Sequence, residues 1–458
     1  MSIFNRKPFI TVATLVGIFA TPIVLFASEE GGHGEGIAIT FLWIAILLIL
    51  AKVSGLVEKI GQPSVLGELI IGIIIGNLAL LGIHLFDVVK DDEIIKFLAE
   101  LGVVILLFQI GLESNIKEMK KVGVKALMVA VVGVVAPFVL GTYIVGPWLM
   151  PGLDMNAYLF LGASLTATSV GITARVFKDL KKLQTNEAKI VLGAAVFDDV
   201  LGLIILAIVS AIAVGGAVSV GMIGVITAKA ILFLVGAIVL GQLFAPIIGK
   251  YVAKIQTGSG MKFTLAIAFC LIFAWAAQKI GLAPIVGAFA AGLVLDPVHF
   301  KYFKDPKVVR DVKRAVKDAD SQIKEDVTKA IEPHAHRHIE DLIEPVAFFL
   351  VPLFFVVTGM SVNLETFSDP KIIGVALAIS VIAVIGKYIA GFVAGKGINK
   401  HIVGVGMIPR GEVGLIFASI GKGLGVVSDE VFSIIVIMVI ITTLVSPPLL
   451  AILLKRQK

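Results

Sequence analysis

A single cysteine, Cys270, stands among 458 residues, so neither a disulfide framework nor a cysteine-based metal site can organise this chain. Charge is scarce as well. Asp, Glu, Lys and Arg make up 16% of the residues against 58% hydrophobic ones, too few to cover the surface of a water-soluble domain. With a mean hydropathy of +1.02, this is the composition of an all-α polytopic membrane protein. The net charge of +6 does not point to nucleic acid, because the basic residues fall in short segments between apolar runs, where they set membrane orientation.

Residues 1–28 have a basic start, an apolar run from Pro8 to Phe26 and small residues at Ala27 and Ser28, as expected of a signal peptide or an extra N-terminal helix. Apolar runs of about 20 residues then predict thirteen spans: 37–60, 63–83, 95–113, 124–150, 157–178, 190–214, 219–251, 261–280, 282–296, 340–364, 371–395, 401–422 and 428–454. Alternate loops are rich in Lys and Arg, among them NIKEMKKVGVK, KDLKKLQTNEAK, GKGINKH and the terminal KRQK. The opposite loops are acidic or neutral, which places the C-terminus in the cytoplasm. Residues 297–339 form a polar cytoplasmic insertion, read as a charged, weakly amphipathic helix. It ends in His334, His336 and His338, most simply a solvated cluster, with a pH-sensing or metal-binding role as the alternative.

A repeat runs through the chain. Gly67 and Gly72 after Pro63 are echoed by Gly287 and Gly292 after Pro284, and Gly111 with Asn115 by Gly359 with Asn363. The first copy begins on the cytoplasmic side and the second outside, so the halves have inverted topology. Inverted repeats with interrupted helices characterise secondary transporters, whose sites lie near the midplane where the repeats meet.

Chemistry concentrates in residues 190–216, where Asp198 and Asp199 stand in an otherwise apolar run. Inserting one Asp at a helix centre costs about 2.5 to 3.5 kcal/mol, so intramembrane carboxylates mark ion or proton pathways. The two point about 100° apart and are free to do different work. Just before them, Thr166, Thr168 and Ser169 lie between Gly162 and Gly171, where a membrane helix can unwind and expose backbone groups to an ion. Residues 406–421 offer a second break at Pro409 and Gly411, with Arg410 and Glu412 adding charge. Lys387 sits deep in the span 371–395. A buried lysine either loses its proton or finds a carboxylate, and Asp198 or Asp199 is the evident partner. Glu68, Glu113, Arg175 and Asp296 also fall in or near spans and read as structural or interfacial charges.

The ordered segments TATSVGITARVF, AVFDDVLGL, LFFVVTGMSVN, GKYIAG and IPRGEVGLI make the chain, over about residues 37–454, resemble the monovalent cation:proton antiporter superfamily. The similarity is to the branch holding NapA-type sodium/proton exchangers and Kef-type potassium systems. It implies an NhaA/NapA-like fold of about thirteen transmembrane helices with two broken, crossing helices. Core helices at about 124–214 and 371–454 would move against dimerisation helices at about 37–113 and 261–364, in a homodimer of the inner (plasma) membrane.

In that family, Asp199 corresponds to the main ligand of Na+ and the proton carrier, and Asp198 to the partner of Lys387. Thr166, Thr168 and Ser169 line the cation site at the first break, while Arg410 and Glu412 support the second. The implied activity is sodium (or lithium)/proton exchange by alternating access. The paired aspartates together with this lysine imply electrogenic exchange, in which Lys387 also releases its proton. No cofactor is implied, since Na+ and H+ are cargo.

Kef-type potassium/proton exchange is the alternative, but those systems carry a Gln-Asp pair and a nucleotide-binding domain, and no GxGxxG unit follows the last span here. An intramembrane aspartyl protease would need carboxylates on separate elements sharing a proton, and no GxGD sequence is present. A non-transporting sensor would have no use for two broken helices.

Overall fold

Backbone groups in hydrocarbon must be satisfied within their own segment, and every regular element among the described residues is helical. The computed structural model describes residues 33–60, 63–113, 116–215, 220–295, 303, 307–316, 320–336 and 338–456. Residues 1–28 lie outside them, as do the side chains of Glu113, Arg175, Asp296, His334, His336, His338 and Glu412.

In chain order the principal helices are α1 (His33–Ser54), α2 (Ser64–Gly76), α3 (Glu93–Glu113), α4 (Ile116–Val139), α5 (Met155–Ser164) and α6 (Val170–Asp179). Next come α7 (Asn186–Gly215), α8 (Val220–Val252), α9 (Ser259–Lys279), α10 (Pro284–Val294), α11 (Lys307–Ala315) and α12 (Ser321–His336). The last are α13 (His338–Met360), α14 (Pro370–Tyr388), α15 (Lys400–Gly406), α16 (Glu412–Gly423) and α17 (Asp429–Arg456).

Among the described residues, eight helices are long and apolar enough to cross a membrane. The remaining expected spans are shorter or interrupted, α8 excepted. The run 63–83 becomes α2 and a 3-10 turn at Leu78–Leu81, because Asn77 ends the helix by donating its side-chain amide to Ile73 O at 2.8 Å. The runs 157–178 and 401–422 each divide into two helices with non-helical chain between. The expected single helix of the insertion is two, α11 and α12.

The chain packs as two units, Met1–Glu100 with Pro352–Ser361, and Leu101–Val351 with Val362–Lys458. In the first, Trp43, Leu47, Ile75, Phe86, Ile95, Leu353 and Val356 form a core, and Gly72 meets Gly359 so closely that a Cβ on Gly72 would lie 2.9 Å from the Gly359 Cα. In the second unit Gly111 meets Gly292 in the same way, at 3.0 Å. These are the glycines of the sequence repeat, paired crosswise between the copies. Gly67 and Gly287 also match, each lying against a backbone carbonyl of the preceding long helix, Ser54 and Phe273.

The second unit holds a core of Ala126, Ala130, Phe177, Val191, Ala194, Ile402 and Leu450 drawn from α4, α6, α7, α15 and α17. Pro137 in α4 has no amide hydrogen to continue the ladder, and a π turn follows at Leu140–Val145. The Asn399 side-chain oxygen caps α15 by accepting from His401 N (3.1 Å) and Ile402 N (3.3 Å), and the Asn399 backbone N–H donates to Glu187 Oε1 at the start of α7 (3.0 Å).

Candidate functional site at two broken helices

Hydroxyls make the first interruption. Ser164 Oγ donates to Leu161 O (2.6 Å) and Thr166 Oγ1 to Ala163 O (2.7 Å), local bonds that compete with helix continuation, and the helix resumes only at Val170. A proline makes the second. Pro409 supplies no N–H and disfavours a helical residue before it, so α15 stops at Gly406 and α16 starts at Glu412. The two interruptions touch. Ser169 N donates to Pro409 O at 2.8 Å, and a Cβ on Gly411 would lie 2.8 Å from that of Ser169. Each break thus presents one helix end and one helix start, with opposite partial charges.

Helix α7 carries the two aspartates past this junction unbroken. Lys387 of α14 reaches Asp198, Nζ to Oδ2 at 2.5 Å, with both side chains fully buried. Thr168 Oγ1 donates to the same oxygen at 2.6 Å, whereas Asp198 Oδ1 has no hydrogen-bond partner. A charge pair of this kind persists in a dry interior only when its geometry is good, because each ion has given up its hydration. Asp199, the next residue round the helix, keeps 8% of its surface exposed against 1% for Asp198. Both aspartates and Arg410 act electrostatically on Lys387.

Arg410 is fully buried. Its guanidinium donates to Ala383 O (2.9 Å) and Ile408 O (3.3 Å), leaving Nε without a partner. Its carbonyl accepts from Thr443 Oγ1 of α17 at 2.6 Å.

Of the residues singled out from the sequence, Asp198, Lys387 and Thr168 form one cluster. Ser169 joins the two breaks through its backbone. The Thr166 hydroxyl turns back to its own chain. Glu412 opens α16. Glu68 is buried in α2, in the first unit.

Three contacts went unread in the sequence. Thr173 Oγ1 donates to Gly406 O at 2.8 Å, Thr443 holds Arg410, and Gly133 of α4 lies beside the lysine head, where a Cβ would meet Lys387 Nζ in ordinary contact at 3.6 Å. The two threonines are visible as hydroxyls in apolar runs, but nothing local says which carbonyl they meet.

A profile of the family described as "Sodium/hydrogen exchanger, transmembrane" matches residues 42–314 and 327–456. This chain belongs to that family. Over 444 residues it is 35% identical to the high-affinity Na(+)/H(+) antiporter NhaS3 of Synechocystis sp., covering 89% of this chain and 88% of that protein. It is 34% identical over 417 residues to the Na(+)/H(+)-K(+) antiporter GerN of Bacillus cereus, covering 90% and 95%. Its fold is similar to that of the sodium proton antiporter MjNhaP1 from Methanocaldococcus jannaschii at pH 8, with a TM-score of 0.63 at 16% identity over 92% of this chain and 99% of that one. Members of this family are secondary transporters of monovalent cations and protons, so the chain is a multi-pass membrane transporter and not an enzyme.

Proposed function

We propose that the chain exchanges Na+ for H+ across the membrane by alternating access, with Asp199 as cation ligand and proton carrier. The observation that carries this reading is the fully buried Lys387–Asp198 pair beside two touching helix breaks. A cation arriving at Asp199, beside the buried Lys387–Asp198 pair, competes with a proton for one carboxylate. Hard cations take oxygen ligands, and Asp199, the unpartnered Asp198 Oδ1 and the first break offer them.

If Lys387 releases its proton as Na+ binds, two protons move per sodium and one net charge crosses. Exchange then responds to voltage by about 2.3 kcal/mol per 100 mV. The crosswise glycine contacts support inverted repeats, and with them the thirteen-span, NapA-like arrangement. In this reading the helices about 124–214 and 371–454 move against those about 37–113 and 261–364. The protein works as a homodimer in the plasma membrane with its C-terminus in the cytoplasm.

The test is dissipation of an imposed pH gradient in proteoliposomes on adding Na+, Li+ or K+ in turn. Na+ and Li+ should dissipate it. A response to K+ alone would transfer the assignment to potassium exchange, and a folded protein that answers to none of the three would end the antiporter reading.

A further inference from the structure

Each carbonyl from Gly406 to Arg410, the run that forms the second interruption, has a protein donor within reach. Thr173 Oγ1 donates to Gly406 O at 2.8 Å, Arg410 Nη1 to Ile408 O at 3.3 Å, Ser169 N to Pro409 O at 2.8 Å and Thr443 Oγ1 to Arg410 O at 2.6 Å. Thr168 Oγ1 lies 3.3 Å from Met407 O while it holds Asp198. Unwound backbone survives within a membrane only where such partners exist, so these donors are what keep the break open.

Thr173 and Thr443 bracket the run at its first and last carbonyls, each spending its one hydroxyl proton on another element. The neighbour Thr442 shows the ordinary alternative, donating back to Met438 O of its own helix at 2.9 Å, as helical threonines commonly do. Thr443 also reaches farther. It fixes the backbone of Arg410, whose guanidinium donates to Ala383 O. That carbonyl lies one turn before Lys387 and is the acceptor that α-helical geometry assigns to the Lys387 amide. Lys387 then closes the chain of contacts on Asp198.

We propose that Thr443 is a positioning residue for exchange, acting through Arg410 to hold Lys387 against Asp198, while Thr173 pins the other end of the same interruption. The proposal rests on the antiporter reading above. It also makes the second break a clamp in which the Gly406, Ile408, Pro409 and Arg410 carbonyls accept from protein donors, while the Thr168 hydroxyl beside Met407 O gives its one proton to Asp198.

Thr443→Val keeps the shape and removes the donor, and Thr443→Ser keeps the donor. Both are reconstituted beside the wild type, and Na+-driven exchange is followed against Na+ concentration and pH. Absence of exchange in the wild type counts against the antiporter reading, not against Thr443.

With the wild type active, the valine variant should raise the Na+ KM about tenfold and move the pH of half-maximal rate by about one unit, the size expected for a lost buried hydrogen bond. The serine variant should stay within about twofold of wild type. A valine variant with wild-type KM and pH profile, changed only in yield or kcat, overturns the proposal, as does a serine variant equally impaired. If the valine variant does not reconstitute, Thr443→Ala read in the same way carries the test. Failure of both to fold while serine does would reduce Thr443 to a folding role and likewise overturn it.

Discussion

Lys387 and Asp198 bury two opposite charges in contact, and the penalty for breaking such a pair exceeds the benefit of having it. Removing one partner strands the other charge in a dry interior at a cost of about 3 to 5 kcal/mol, whereas replacing both with apolar side chains is often neutral. Lys387→Met should therefore lower thermal stability by about that amount, measured on the purified protein, and Asp198→Leu added to it should restore most of the loss. Neither variant should carry an electrogenic sodium current. A double variant with wild-type currents would remove the pair from the mechanism. Asp199→Asn keeps the shape of the side chain and loses its charge, so it should fold normally and abolish exchange in the pH-gradient assay. Persistent transport would move the carrier role elsewhere. That buried acids and a buried lysine need one another is plain from their setting in apolar runs. Which aspartate takes the lysine is a different matter, because both lie on one helix face or the next and α14 arrives from far along the chain.

The broken helices show where local chemistry suffices. Hydroxyls at 164 and 166 and a proline at 409 each weaken a helix by their own structure, so the interruptions can be anticipated at those positions. The contact between them has no such local cause. Gly411 and Ser169 approach too closely for a Cβ on Gly411, which would sit 2.8 Å from the Ser169 Cβ and 2.9 Å from its Oγ. Gly411→Ala should push the two breaks apart and cut the exchange rate by tenfold or more, about the 1 to 3 kcal/mol typical of overpacking. Ser169→Gly in the same protein should recover most of the thermal stability that Gly411→Ala loses, since it removes both of the atoms struck. Thermal unfolding of the two variants decides the matter. If the second substitution rescues nothing, the contact is not what limits the single variant.

Across the chain as a whole, the glycine contacts repeat: Gly72 on Gly359 in one unit, Gly111 on Gly292 in the other. If the halves are inverted copies, Gly72→Val and Gly292→Val should be destabilising to a similar degree, about 1 to 3 kcal/mol each. Thermal unfolding of the two variants compares them directly, and a large disparity would argue that the resemblance of the glycines is fortuitous. Run length, charge scarcity and the placement of glycine, proline and hydroxyls are properties of short stretches, and they suffice to make this a helical membrane protein with two weak points beside a pair of acids. The bonds that turn those parts into a site join residues distant in the chain, Lys387 to Asp198 across 189 positions and Thr443 to Arg410 across 33. A buried charge or carbonyl requires a partner but does not name one. Packing makes that choice, because only the folded helices bring a particular donor within hydrogen-bond distance of a particular oxygen.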